Sequence, residues 1–183
     1  ERRALDESLS LVSSKKIYFG SWKEGWIFDI GVEPSTGRIW AVGLYEDVNN
    51  ETHSLIAILD NDFRVLKVLD YPYGSEGYLG WLFGIAFDGR GYAYVTGPRG
   101  VAKFSVEGEL IAINRDYRFK DKIMYYDNYL YTFGEDEIGG YWRHVLDIYD
   151  TNLNLVKRYV LSEGVNANSY FYPGRPVLEG NNL

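Results

Sequence analysis

Cysteine is absent from the 183 residues. That excludes disulfides, thiolate nucleophiles and cysteine zinc sites, and it leaves the redox compartment open. Histidine is nearly as scarce, with only His53 and His144. Long hydrophobic runs are missing too: no window approaches the roughly 18 apolar residues of a membrane helix, and no apolar leader core is present. Positive charge is in deficit, 19 Lys and Arg against 26 Asp and Glu for a net charge of −7. With no basic stripe to displace counterions, a nucleic-acid partner is excluded. The short pairs Arg2-Arg3 and Lys15-Lys16 read as solvated ends. No stretch has the period of an amphipathic helix, and no Pro/Gly/Ser-rich linker divides the chain. The serine-hydrolase elbow, the phosphate-cradling glycine loop and the two-histidine zinc motif are all missing.

What the chain does hold is aromatic residues, with 17 Tyr, 9 Phe and 5 Trp, and a repeat. Tyrosine suits a half-buried strand face with a wet phenol end. A tyrosine-rich, cysteine-free surface leans towards an extracellular or cell-surface setting. Asn50-Glu51-Thr52 matches a glycosylation acceptor, a pattern with meaning only for an exported chain. The repeat is an octet, Leu59-Asp60-Asn61-Asp62-Phe63-Arg64-Val65-Leu66. It recurs from Leu5 to Val12 and from Tyr149 to Val156, with a looser copy from Phe104 to Ile111. Each copy reads as an apolar strand end, a polar turn and the start of a second strand. A hairpin returning about every 50 residues marks a repeat architecture.

The residues between octets supply the rest of the unit. Phe28 to Val32 and Arg38 to Gly43 flank the turn Glu33-Pro34-Ser35-Thr36-Gly37, in which proline presets φ and glycine supplies a positive one. His53 to Leu59 and Val65 to Leu69 follow, after a polar loop from Glu46 to Thr52. The unit is therefore four short strands, A to D, and resembles one blade of a β-propeller. Counted through the chain, there are four C–D hairpins, the first at the N-terminus. There are also four A–B hairpins, the last at Tyr170 to Leu178. The expected fold is an all-β, propeller-like domain over residues 1–183. Either the terminal hairpins complete a fourth blade, with Leu5–Val12 sharing a sheet with Tyr170–Leu178, or the chain is a slice of a larger propeller. In the second case further chain segments complete the ring. The chain opens on Glu1 rather than methionine, which points to a removed leader or a segment of something longer.

The match becomes specific from Gly84 to Ile111. Gly84-Ile85-Ala86-Phe87-Asp88, then Gly91 and Tyr94-Val95, then Val101, Phe104, Gly108 and Leu110 follow the blade pattern of NHL-type and SMP-30-type (YVTN-like) propellers. The chain resembles that repeat family. SMP-30-type enzymes hold an axial divalent ion with Glu, Asn and Asp side chains. The resemblance therefore implies Asp29, Asn166 and Asn168 as ligands of a metal such as calcium, and lactonase or hydrolase chemistry with it. The middle blades, near Phe83-Gly84 and Met124-Tyr125, offer no matching carboxylate or amide.

Residue chemistry favours a non-catalytic binding or scaffold module without a cofactor. The loops joining D to A and B to C carry Trp22, Glu24, Trp26, Tyr73, Glu76, Tyr78, Trp81, Trp142 and Asn168, together with Tyr71, Glu163 and the acidic run Glu135-Asp136-Glu137. Aromatic platforms with carboxylates and amides between them suit a protein or carbohydrate (glycan) partner. Packing between blades is the competing role for Trp22, Trp26 and Trp81. His53 and His144 occupy equivalent strand-C positions, which repeat geometry explains without catalysis.

Overall fold

The computed structural model describes residues 2–5, 11–15, 22–116 and 118–161, and every regular element among them is a strand. A two-stranded hairpin comes first, β1 (Arg2–Leu5) with β2 (Leu11–Lys15). Three four-stranded antiparallel meanders follow. Blade I is β3 (Glu24–Val32), β4 (Ile39–Glu46), β5 (Thr52–Leu59) and β6 (Val65–Pro72). Blade II is β7 (Gly84–Phe87), β8 (Tyr92–Gly97), β9 (Gly100–Ser105) and β10 (Leu110–Asn114). Blade III is β11 (Phe119–Tyr126), β12 (Tyr129–Ile138), β13 (Tyr141–Asp150) and β14 (Leu155–Val160). The first strand of blade II packs on the first strands of blades I and III. Sequential meanders with adjacent inner strands make a propeller-like arc.

The octet folds as a single loop in each blade, and its chemistry is local. Asp60 Oδ1 accepts the Asp62 and Arg64 N–H groups, and Asp150 Oδ1 accepts those of Asn152 and Asn154. In blade II the Ser105 hydroxyl accepts the Glu109 N–H. The fourth loop residue turns left-handed, at Phe63 (φ 60°), Gly108 (φ 78°) and Leu153 (φ 67°). An Asx-type turn closing on one left-handed residue fixes hairpin register without help from distant residues. The N-terminal copy pairs Leu5 with Leu11. Its turn, and the expected partnership with Tyr170–Leu178, lie outside the described residues.

Blades pack through apolar faces set by strand alternation. Trp40, Val42, Ile56 and Ile58 of blade I meet Ile85, Val95 and Phe104 of blade II. Tyr94 and Val101 meet Ile123, Leu130, Tyr149 and Leu153 on the other side of blade II. Close approach demands glycine at matching places in strand B. A Cβ on Gly43 would lie 1.9 Å from the Trp26 carbonyl oxygen, and one on Gly134 would meet that of Phe119 at 1.8 Å.

Charge is also buried at the blade II–III side. Asp147 and Lys120, both fully buried, form an ion pair, and Arg158 grips Asp147 with two bonds of 2.6 Å. Burial alone would raise the Asp147 carboxyl, but hydrogen bonds from Arg158 and the Lys120 charge hold it below the usual range.

Three sequence expectations change here. Glu24 and Trp26 belong to β3 rather than to a loop. Tyr71 belongs to β6. The acidic run Glu135-Asp136-Glu137 is strand, not loop, because each acid sits across from a β13 residue: Glu135 from His144, Asp136 from Arg143, Glu137 from Trp142. The backbone ladder carries the hairpin to its Gly139-Gly140 tip, and Asp136 is ion-paired with Arg118 and Arg158.

Candidate binding face

One end of the blades gathers the β4–β5, β8–β9 and β12–β13 turns with the D-to-A connections. Most of the candidate residues sit here, in three groups. Trp22, half-buried, stacks on Tyr45 at 4.5 Å, and Tyr45 stacks on His53 at 4.4 Å. The Tyr45 hydroxyl donates to Asp70 at 2.7 Å, and the His53 Nδ1 lies 2.6 Å from the same carboxylate. Burial, that hydrogen bond and the charges of Asp70 and Asp47 all push the Tyr45 phenol upward, so it stays a donor.

The second group surrounds Arg99. Its guanidinium lies 5.0 Å from both the Tyr73 and Tyr78 rings, and the two rings meet edge to face at 5.3 Å. Tyr73 is 66% exposed, whereas Tyr78 is buried beneath it at 6%. The Arg115 guanidinium donates to the carbonyls of Glu76 and Tyr78, which leaves the exposed Glu76 carboxylate facing water.

The third group is apolar and lies at the inner strands. Phe28 stacks on Trp81 at 6.2 Å and touches Phe83 at 5.0 Å, and Phe83 touches Phe119 at 5.1 Å. Phe83 is buried, but Trp81 keeps 51% exposure and Trp26 46%. Trp26 lies opposite Leu44, on the blade I side that meets blade II. Glu24 is exposed two residues earlier. Trp142, 47% exposed, stands apart near the tip of the β12–β13 hairpin.

Of the residues implied as metal ligands, Asp29 is described and Asn166 and Asn168 are not; Glu163 is likewise outside the described residues. Asp29 Oδ2 accepts the Ile85 N–H at 3.1 Å, tying blade I to blade II, and Oδ1 accepts the Ile30 N–H. Sequence reasoning missed a carboxylate on the inner strand of blade III. That strand begins at Phe119 rather than at Ile123, so Asp121 lies on it. Burial raises the Asp121 carboxyl; Lys122 opposes this, and the charges of Glu135 and Asp29 add to it. Phe119 and Ile123 bracket the charged run Lys120-Asp121-Lys122, and that run hid the start of the strand.

No family model matches the chain. No curated protein matches it. Among solved structures it is similar to the WD40 domain of Neurospora crassa Pan2, at 10% identity and a TM-score of 0.48. The alignment covers 74% of this chain and 50% of that one, so the chain spans half that protein's length. The sheet order and blade packing themselves give the architecture, a propeller-like arc.

Proposed function

We propose that this chain is a non-catalytic binding module and that its loop face holds a protein partner. The observation that carries this reading is the exposure of large aromatic surface around the loop end of the blades. Trp26, Tyr73, Trp81 and Trp142 keep 46%, 66%, 51% and 47% of their surface in water. Exposed tryptophan and tyrosine are what protein interfaces concentrate, and they supply most of the energy there. The surrounding carboxylates, Glu24 and Glu76, and the net charge of −7 favour a partner segment that combines apolar and basic residues. Kinship with NHL-type and SMP-30-type repeats is part of this reading and rests on the Gly84 to Ile111 match.

The test is a peptide array of basic-aromatic segments, followed by anisotropy titration of the hits. Trp26→Ala with Trp81→Ala should weaken binding more than about tenfold while leaving the circular dichroism of the fold unchanged. Indifference of every hit to those substitutions would overturn the reading. So would a tryptophan-dependent signal found only on a glycan array. An SMP-30-like hydrolase is the alternative, motivated by the charges of Glu135 and Asp29 acting on the buried Asp121 carboxyl. It predicts lactone turnover lost in Asp121→Asn.

A further inference from the structure

The β4–β5 hairpin brings together three potential metal ligands. Asp47, Glu51 and His53 each place one ligand atom within 4.8 Å of the others. Asp47 and Glu51 flank the turn; His53 is the second residue of β5. Two carboxylates at a turn would by themselves mean little. The histidine changes the chemistry.

His53 is 8% exposed, and its Nε2 is buried with no hydrogen-bond partner. That nitrogen faces Asp47 Oδ2 at 4.0 Å. The other nitrogen, Nδ1, is 2.6 Å from Asp70 Oδ1, and a carboxylate can only accept, so Nδ1 carries the proton. With Nδ1 committed to Asp70, Nε2 is the ring nitrogen left to face Asp47. A buried nitrogen left without a partner is costly, and here it is held in place. Stacking on Tyr45, itself stacked on Trp22, fixes the plane of the ring. Asp70, bonded through Oδ2 to the Tyr45 hydroxyl, fixes its rotation.

This is the arrangement in which metal-binding histidines are found, with one ring nitrogen on the ion and the other donating to a carboxylate. The acids are as well prepared. Asp47 Oδ1 accepts the Asn49 and Glu51 N–H groups at 2.8 Å each, and Oδ2, which accepts the Asn49 side-chain amide at 3.2 Å, lies 4.0 Å from His53 Nε2. Glu51 is exposed and can swing. Tetrahedral ligands about 2.1 Å from an ion lie about 3.4 Å apart. Closing the Asp47–His53 pair from 4.0 Å takes roughly half an ångström, and the exposed Glu51 carboxylate, within 4.8 Å, moves by up to about 1.4 Å.

We infer that Asp47, Glu51 and His53 form a site for a divalent transition metal of the zinc class, held by one imidazole nitrogen and two carboxylate oxygens with a position left for water. Imidazole with carboxylates suits zinc better than calcium, which takes six or more oxygen ligands. Bound there, the ion would cross-link the β4–β5 turn to the Trp22–Tyr45–His53 stack and set the rim of the loop face.

Isothermal titration of the whole chain with zinc chloride, with calcium chloride in parallel, tests this. One equivalent of zinc should bind and calcium should not compete. Glu51→Gln, an exposed change that leaves the fold intact, should weaken zinc at least tenfold. Asp70→Asn, which touches no ion, should weaken it about ten- to a hundredfold. Cobalt substitution should give the absorption bands of a four-coordinate ion, lost in His53→Gln. No stoichiometric zinc binding would overturn the inference. Zinc binding indifferent to Glu51→Gln would do the same, because the ion would then be held elsewhere on the chain.

Discussion

Asp147 offers the most direct test of how the third blade is held. Its side chain is fully buried and so is the Lys120 ammonium it pairs with. Asp147→Asn removes the charge and keeps the shape. Lys120 would then have Asp116 at 3.6 Å as its remaining carboxylate, and that group already accepts the Tyr149 hydroxyl at 2.5 Å. Arg158 would keep Asp136 at 2.5 Å. Removing one partner of a buried pair costs about 3–5 kcal/mol. Because both cations retain a second carboxylate, the expected loss is near the lower end, about 3 kcal/mol. With a urea slope of about 2 kcal/mol per molar, the unfolding midpoint should fall by roughly 1.5 M. The double change Lys120→Met with Asp147→Leu should recover the Lys120 share of this, since apolar replacements of buried pairs are often neutral, while Arg158 is left with Asp136 alone. The pH dependence has a definite sign. The Asp147 carboxyl is depressed in the folded state, so its stabilisation is present above the ordinary aspartate range. It is lost as pH falls through the folded value, and the gap between wild type and Asp147→Asn should close there. A single-variant cost below about 1 kcal/mol, or a double variant as weak as the sum of its parts, would refute the reasoning.

Three further outcomes are expected. Glu33 is fully buried; burial would raise its carboxyl, but bonds from Thr36 and Ser35 hold it below the usual range. Glu33→Gln should cost about 1–3 kcal/mol by urea melting at neutral pH, with the difference fading in acid as the wild-type carboxyl takes its proton. Gly43→Ala should destabilise by at least about 1–3 kcal/mol, because the new methyl meets the Trp26 carbonyl at 1.9 Å; a melting temperature like the wild type would show that β3 can move aside. Asp121, held above its ordinary range chiefly by burial, carries a penalty at neutral pH. Asp121→Asn should raise the melting temperature at pH 7. That gain should shrink as pH falls from the raised folded value to the ordinary aspartate range and disappear below it.

The blade repeat was legible in sequence because its information is local. An Asp or Ser at the head of the turn, a left-handed residue three places on and alternating apolar neighbours specify a hairpin within a few residues. Asp60, Ser105 and Asp150 each do so. Strand ends were less legible. The Glu135–Glu137 run is polar, and only its pairing with β13 makes it strand. The candidate residues were legible as a type, aromatics and acids in connecting segments. Sorting them into buried Tyr78 and exposed Tyr73, Trp26 and Trp81 required the neighbouring blade that covers one and leaves the others bare.

By itself, then, the sequence determined an all-β chain of repeated four-stranded units and the end of those units at which aromatics and carboxylates collect. Tertiary structure alone decided which side chains meet. His53 and Asp70 lie at the start of β5 and near the end of β6, and the hairpin register brings them together. Asp147, Lys120 and Arg158 come from three strands and share one buried point. Backbone pairing is coded over a few residues, whereas burial and charge contact depend on groups far apart in the chain, and these converge only once the blades have packed.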